Sequence, residues 1–197
     1  IRDRNLPVVE TFQGAGVLNR ELENHFFGRV GLFRNQVGDE LLRKADLVVA
    51  IGYDPIEYEA SNWNKELDTE IIAIDEVQAE ITNFLRPKKE LIGNIAGTIQ
   101  LLSENVHEPI INQNRLDDLE RLRAEVIEAT GIKYTHEDGV MHPLEIIETM
   151  QKTLTDDTTV TVDVGSHYIW MARKFRSYNP RHLLFSNGMQ TLGVALP

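Results

Sequence analysis

Cysteine is absent from the 197 residues, which rules out disulfides, thiolate metal sites and a cysteine nucleophile. No apolar stretch approaches the roughly 18 residues that a membrane-spanning helix needs. The first residues carry no signal-peptide pattern, so a cytoplasmic location is expected. Positive charge is scarce: 20 Lys and Arg stand against 31 Asp and Glu, a formal charge of -11. That balance argues against a nucleic-acid partner and against an anionic membrane surface, both of which select basic faces. Internal repeats and low-complexity tracts are also missing. What is present is ordinary for a folded protein: 42% hydrophobic and 26% charged residues, in a chain long enough for one good-sized domain or one domain and part of a second.

The apolar runs are short and rich in β-branched residues, with helical patterns between them. "LPVVETF" (6–12) reads as a strand running into the glycine loop 14–16. "RNQVGDELLRKA" (34–45) reads as a helix with Leu41 and Leu42 inward. "DLVVAIGY" (46–53), "EIIAIDE" (70–76) and "ELIGN" (90–94) read as strands, the last leading into the helix "IAGTIQLLSENV" (95–106). Near-continuous apolar strands alternating with helices predict a parallel sheet covered on both faces, hence a three-layer α/β domain over 1–106. After the polar link "HEPIINQN", the helix "RLDDLERLRAEVIEAT" (115–130) places Leu116, Leu119, Leu122, Val126 and Ile127 at helical spacing, with Gly131 as its stop. "KYTHEDGV" (133–140) reads as a mobile loop. A second α/β unit begins with the helix "HPLEIIETMQKTL" (142–154), Pro143 suiting its first turn. It continues through the strand 158–165, the helix "SHYIWMARKF" (166–175) and the strand "HLLFSN" (182–187), and is cut off at the following corner.

Four stretches could carry chemistry. In "TFQGAGVL" a glycine pair follows a strand and could bring backbone N–H groups to a phosphate, but Asn19 stands where a dinucleotide fingerprint has its third glycine. A tight loop is the plainer reading there. "IGYDPIEYEASNW" (51–63) sits at the carboxyl end of a strand, where doubly wound folds bind ligands, yet it is acidic and aromatic and has no cation before Lys65. It reads better as a structural or subunit-contact loop than as a seat for a flavin or nicotinamide diphosphate. In "VDVGSHYIWMARKF" (162–175), Ser166 and His167 open a helix just after Gly165, a natural seat for a phosphate or else a serine cap beside a surface histidine. The closing "SNGMQTLGVALP" (186–197) is, alone, a strand end, a glycine turn and a helix start.

Taken together, "TVDVGSHYIWMARKFRSYNPRHLLFSNGMQTLGVALP" closely resembles the start of the diphosphate-binding domain of thiamine-diphosphate-dependent acetolactate synthases. "LPVVETFQGAGVLNRELENHFFGRVGLFRNQVGDELLRKADLVVAIGYDPIEY" and "ELIGNI" resemble the central domain of the same family, in the family's order. Where flavin-containing members carry an arginine-bearing RFDDR-type sequence, this chain has "YDPIEY", with Tyr53 and Asp54 near the family's Arg and Phe. The resemblance is therefore to the catabolic, flavin-independent synthases of acetoin and butanediol fermentation.

That resemblance implies a fold and a site. The fold is α/β: a Rossmann-like three-layer parallel sheet over 1–106, lacking its first strand and helix, a helical linker and loop over 107–141, and a truncated second α/β unit over 142–197. Thiamine diphosphate and Mg2+ are the implied cofactors, without FAD. Ser166 and His167 match positions near the diphosphate. The carbonyl aligned with Gln190 would accept from the pyrimidine amino group, the Leu192 N–H would reach a ring nitrogen, and the Leu192 side chain would be the wedge that bends the cofactor. Magnesium ligands are expected beyond Pro197, and the activating glutamate in an N-terminal domain of a neighbouring subunit, so the full enzyme is expected to be a homo-oligomer. The implied reaction decarboxylates pyruvate and condenses it with a second pyruvate to 2-acetolactate. The chain alone is expected to be inert, with residues from about 133 onward loosely held. A pyruvate oxidase, another carboligase, or a non-catalytic nucleotide-binding-like module are the competing readings.

Overall fold

The structure is a computed structural model that describes residues 1–31, 36–106, 115–135, 139–186 and 192–196. Twelve regular elements, apart from short 3-10 turns, follow in the order β1 (Val8–Glu10), β2 (Phe26–Arg29), α1 (Val37–Lys44), β3 (Leu47–Ile51), β4 (Glu70–Asp75), β5 (Lys89–Ile92), α2 (Ile95–Asn105), α3 (Leu116–Thr130), α4 (Pro143–Thr153), β6 (Val160–Val162), α5 (Ser166–Lys174) and β7 (Leu183–Phe185). α1, α2 and α4 start where the sequence offers a cap. α1 is closed by a reciprocal box in which the Asp39 carboxylate accepts from the Gln36 N–H at 2.8 Å. The Asn94 side chain accepts from the Gly97 N–H to cap α2, and the His142 ring accepts from the Leu144 N–H to cap α4, whose first residue is Pro143.

Among the described residues, every strand pair is parallel. β1 pairs with β2, β3–β4–β5 form a second sheet in that order, and β6 pairs with β7. The α/β class read from the alternation is thus the observed one. β3 departs from the expectation in one respect: Val48 and Ala50 pack into the core, whereas Leu47, Val49 and Ile51 stay 40–48% exposed. The physical reason is that α2 lies over β4, leaving one face of β3 with no layer over it among the described residues.

α3 packs onto β2 and α1 rather than bridging freely. Leu122 and Val126 are buried with Phe26, Phe27 and Leu18. Arg121 pairs with Glu40, Lys44 pairs with Asp118, and Arg123 donates to the Phe26 carbonyl at 2.6 Å. Ile127, expected to face inward, is 59% exposed, because Leu119, Leu122 and Val126 already form the contact row and the next residue turns past its margin. Gly131 ends the helix with an ordinary extended backbone, φ -57, so its freedom is not what stops the helix there.

A third core joins the two halves. Phe12 and Ala15, from the loop after β1, are buried with Leu144, Ile147, Val162, Tyr168, Met171 and Phe185 of the second unit. The Phe12 ring meets Tyr168 edge-on at 6.2 Å and Phe185 at 5.8 Å. Burying side chains of this size stabilises by roughly 1.5–3 kcal/mol each.

Candidate functional site

β6 is followed by Asp163, Val164 and Gly165, and α5 begins immediately. Gly165 is the cap residue, with φ 153 and ψ -178, and it brings no side-chain cap to the helix. Ser166 is therefore the first helical residue rather than the cap that the plainer reading made it. Ser166 and His167 are both exposed. The His167 ring lies so close over Gly165 that a Cβ there would stand 2.7 Å from it. First-turn N–H groups without a side-chain acceptor, at the positive end of a helix, suit an anionic oxygen. A mostly apolar cavity of about 310 Å³ opens beside them, lined by Ile146, Ile147, Met150, Val162, His167 and Trp170 among others.

Asp163 is the residue that organises this corner. Its carboxylate accepts from the Val164 N–H at 2.8 Å and, from the far side, from the Gly193 N–H at 2.6 Å. These backbone donors, Val164 first, hold the Asp163 carboxyl below the usual carboxylate range, with the Val194 N–H and the nearby His167 adding to the effect. The Thr161 hydroxyl donates to the Ala195 carbonyl at 2.9 Å. Segment 192–196 is thus tied to the end of β6, which brings Leu192, 76% exposed, to the same corner as Ser166 and His167. Gln190 lies outside the described residues. Asp163 was not singled out from the sequence, where one acidic residue at a strand end is unremarkable. The available signal was its position one residue before the Val164–Gly165 break.

The corner after β1 looks similar in sequence and is built differently. The Gln13 N–H donates to a Glu57 carboxylate oxygen at 2.7 Å. Burial pushes the Glu57 carboxyl up, and the Gln13 N–H, with the nearby Thr11 and Phe12, draws it back. Gly16, at φ +88, meets a different need. A Cβ there would stand 2.1 Å from the Asn179 carbonyl oxygen, so this glycine lets the segment before β7 approach the loop.

Glu57 belongs to the "YDPIEY" loop, and the rest of that loop is stapled down. The Tyr53 hydroxyl donates to the Tyr58 carbonyl, and the Tyr58 hydroxyl donates to buried Asp39 of α1 at 2.5 Å. Tyr53 packs edge-on against buried Trp63 at 6.3 Å. Burial is the main reason that the Tyr53 phenol is pushed up to about 12 and that the Tyr58 phenol is raised too, with Asp39 adding to the latter. The described contacts of this loop are those of a structural element.

Behind both corners lies a buried charge cluster. Glu10 of β1 is fully buried, and one of its oxygens accepts from Arg29 at 3.4 Å and from Arg176 at 3.1 Å. Arg176 also reaches Glu23 at 3.0 Å and lies over the Phe26 ring, 3.5 Å from its centre. Arg29 donates in addition to the Ala172 and Phe175 carbonyls, at 2.8 and 3.3 Å, at the C-terminal end of α5. Burial lowers the Arg29 pKa, an effect that neighbouring Glu10 opposes. A guanidinium from β2 therefore holds the negative end of the helix whose positive end opens the β6 corner. Among the described residues, no group of three or more His, Asp or Glu is placed to hold a metal ion.

Residues 1–102 match the thiamine pyrophosphate enzyme central domain, and residues 163–197 match the C-terminal thiamine-pyrophosphate-binding domain of such enzymes. The chain belongs to the thiamine pyrophosphate enzyme family. Within that family it is 47% identical over 192 residues to an acetolactate synthase of Bacillus subtilis, covering 98% of this chain and 34% of that protein. It is 42% identical over 189 residues to the catabolic acetolactate synthase of Raoultella terrigena, covering 93% and 33%. Identity to the large subunit of acetolactate synthase isozyme 3 of Escherichia coli is 25% over 200 residues, covering 98% and 34%. The chain spans about a third of the length of these relatives. For a family whose cofactor carries a diphosphate, the uncapped start of α5 is chemically apt, and the corner after β1 already holds a carboxylate.

Proposed function

We propose that the chain supplies the central domain and the opening part of the cofactor-binding domain of a flavin-independent acetolactate synthase. The observation that carries this reading is the contrast between the two corners. The one after β6 offers a helix start with no side-chain cap, Ser166 and His167 exposed beside a cavity, and segment 192–196 tied alongside. The one after β1 offers the Gln13 N–H to Glu57, in a loop whose own residues are acidic and aromatic. Support also comes from relatedness, since identity is 42–47% to the Bacillus and Raoultella proteins and 25% to the isozyme 3 large subunit.

In this reading, residues 1–106 form the central domain, 107–141 the linker, and 142–197 the first part of the cofactor-binding domain. Ser166 and His167 face the diphosphate, the Gln190 carbonyl and Leu192 N–H hold the pyrimidine ring, and the Leu192 side chain is the wedge. Mg2+ accompanies the diphosphate. Thiamine diphosphate, when bound, supplies the electron sink for decarboxylating pyruvate, while the chain orients it and excludes water. Asp163 does neither directly; it fixes the strand end and the segment that carries Leu192. The whole enzyme works in the cytoplasm as a homo-oligomer, and the 197-residue chain alone is inert.

The test is an assay of the longer protein with thiamine diphosphate, Mg2+ and pyruvate, scoring acetolactate as acetoin after acid treatment. Turnover that added FAD leaves unchanged is expected. Turnover only with FAD would contradict the flavin-free assignment, and no acetolactate in either case would move the reading to a pyruvate oxidase or another carboligase. Pyruvate consumption by the 197-residue chain itself would overturn its inertness.

A further inference from the structure

We propose that Arg29 and Lys174 are positioning residues for the cofactor diphosphate, acting through α5 from the end opposite the β6 corner. The inference rests on the reading that the start of α5 faces that diphosphate. The two ends of this nine-residue helix are held very differently. Its first turn has no side-chain cap, and Ser166 and His167 are exposed. Its far end is gripped by three other elements. From β2, one Arg29 nitrogen donates to the Ala172 and Phe175 carbonyls at 2.8 and 3.3 Å. From α4, the Gln151 amide exchanges two hydrogen bonds with the Arg176 backbone, at 2.7 and 3.1 Å. Lys174, in the last turn of α5, donates to the Ala129 and Gly131 carbonyls at the end of α3, at 2.5 and 2.8 Å.

Arg29 is the most firmly seated of these grips. It is buried, and its other terminal nitrogen donates to Glu10. The same Glu10 oxygen accepts from Arg176, just past the helix. A helix clamped at one end carries the other as a lever. At about 1.5 Å per residue its first turn stands roughly 13 Å from the clamp, so a tilt of about 5° moves the first N–H groups by about 1 Å. A shift of that size takes a hydrogen bond out of its working range. The first unit thereby sets the affinity of a seat built by the second.

The test is a calorimetric titration of the longer protein with thiamine diphosphate and Mg2+. Arg29→Lys keeps the charge beside Glu10 but gives up the planar fork that reaches carboxylate and carbonyls together. Its half-saturating thiamine diphosphate concentration is expected to rise by about tenfold, the order of one hydrogen bond to a charged group. Turnover at saturating cofactor is expected to be retained. Lys174→Met, at a half-buried position, removes the α3 grip and should raise the same concentration by a smaller factor. Ile71→Ala is the control, a cavity in a core to which α5 contributes no residue, and it should bind the cofactor as the unaltered protein does. Affinity that falls in all three variants in step with stability would make Arg29 and Lys174 stabilising residues only, and would overturn the proposal. Unchanged affinity in Arg29→Lys would also overturn it, and if that variant does not fold, unchanged affinity in Lys174→Met would do so. An unaltered longer protein that neither binds thiamine diphosphate nor makes acetolactate would instead overturn the underlying reading.

Discussion

The corners after β1 and β6 share a local recipe: a short parallel strand, a glycine, and backbone donors left over at its end. They differ in who answers those donors. After β1 the chain answers the Gln13 N–H itself, through Glu57, and spends the glycine at 16 on contact with Asn179. After β6 Gly165 answers nothing, Ser166 and His167 stand exposed, and Asp163 ties a distant segment alongside without reaching into the helix start. A glycine after a strand is thus a necessary feature of a phosphate seat and a poor identifier of one. The deciding residue can lie far away in sequence.

The two corners also form one mechanical unit, and the largest expected effect breaks that link. Arg29→Met leaves the buried Glu10 charge to Arg176 alone and uncaps the C-terminal end of α5. Losing one partner of a buried pair typically costs about 3–5 kcal/mol, to be read from urea unfolding of the 197-residue chain. Next comes Gly16→Ala. Its Cβ falls 2.1 Å from a backbone oxygen, so the interface must shift, at about 1–3 kcal/mol for the overpacking alone. Gly14→Ala is the control. Its Cβ would sit 3.5 Å from Thr11, an ordinary contact, and a change within about 0.5 kcal/mol is expected.

A smaller effect separates the β6 corner from its tether. Asp163→Asn weakens the acceptor for the Gly193 N–H and should speed amide exchange at Gly193 while leaving β6 and β7 protected. The same tether has a pH signature. Because the Asp163 carboxyl is held below its ordinary value, its stabilisation is fully present above that ordinary value and is lost as pH falls through the depressed one. The Gly193 amide resonance should report that loss in acid and stay constant near neutrality. The smallest expected effect on folding belongs to Ser166→Ala and His167→Ala, exposed residues for which about 0.5 kcal/mol or less is expected. In the longer enzyme the same changes should raise the half-saturating thiamine diphosphate concentration by about tenfold, as for one hydrogen bond to a charged group.

What was legible in the sequence follows the range of the interactions. Helix starts were legible because their causes are local: Pro143 with His142 before α4, Gly165 before α5. So was the parallel α/β class, from β-branched runs such as "DLVVAIGY". The open face of β3 was not, because Leu47, Val49 and Ile51 read as core and only the position of α2 over β4 shows otherwise. The site was half legible. Ser166, His167 and Leu192 could be named from a resemblance, and Asp163 could not be told from any other aspartate until Gly193 was seen on its far side. Arg29 and Glu57 act across 143 and 44 residues, separations at which a single sequence carries no local signal.

The most direct test of the contrast between the corners is a pair of calorimetric titrations of the longer protein, one with thiamine diphosphate and Mg2+ and one with FAD. Saturable binding of thiamine diphosphate, weakened by His167→Ala, with no heat from FAD, is the expected result. Saturable FAD binding to the unaltered protein, or thiamine diphosphate binding indifferent to changes at Ser166 and His167, would contradict the assignment of the open corner to the cofactor and the closed one to the chain itself.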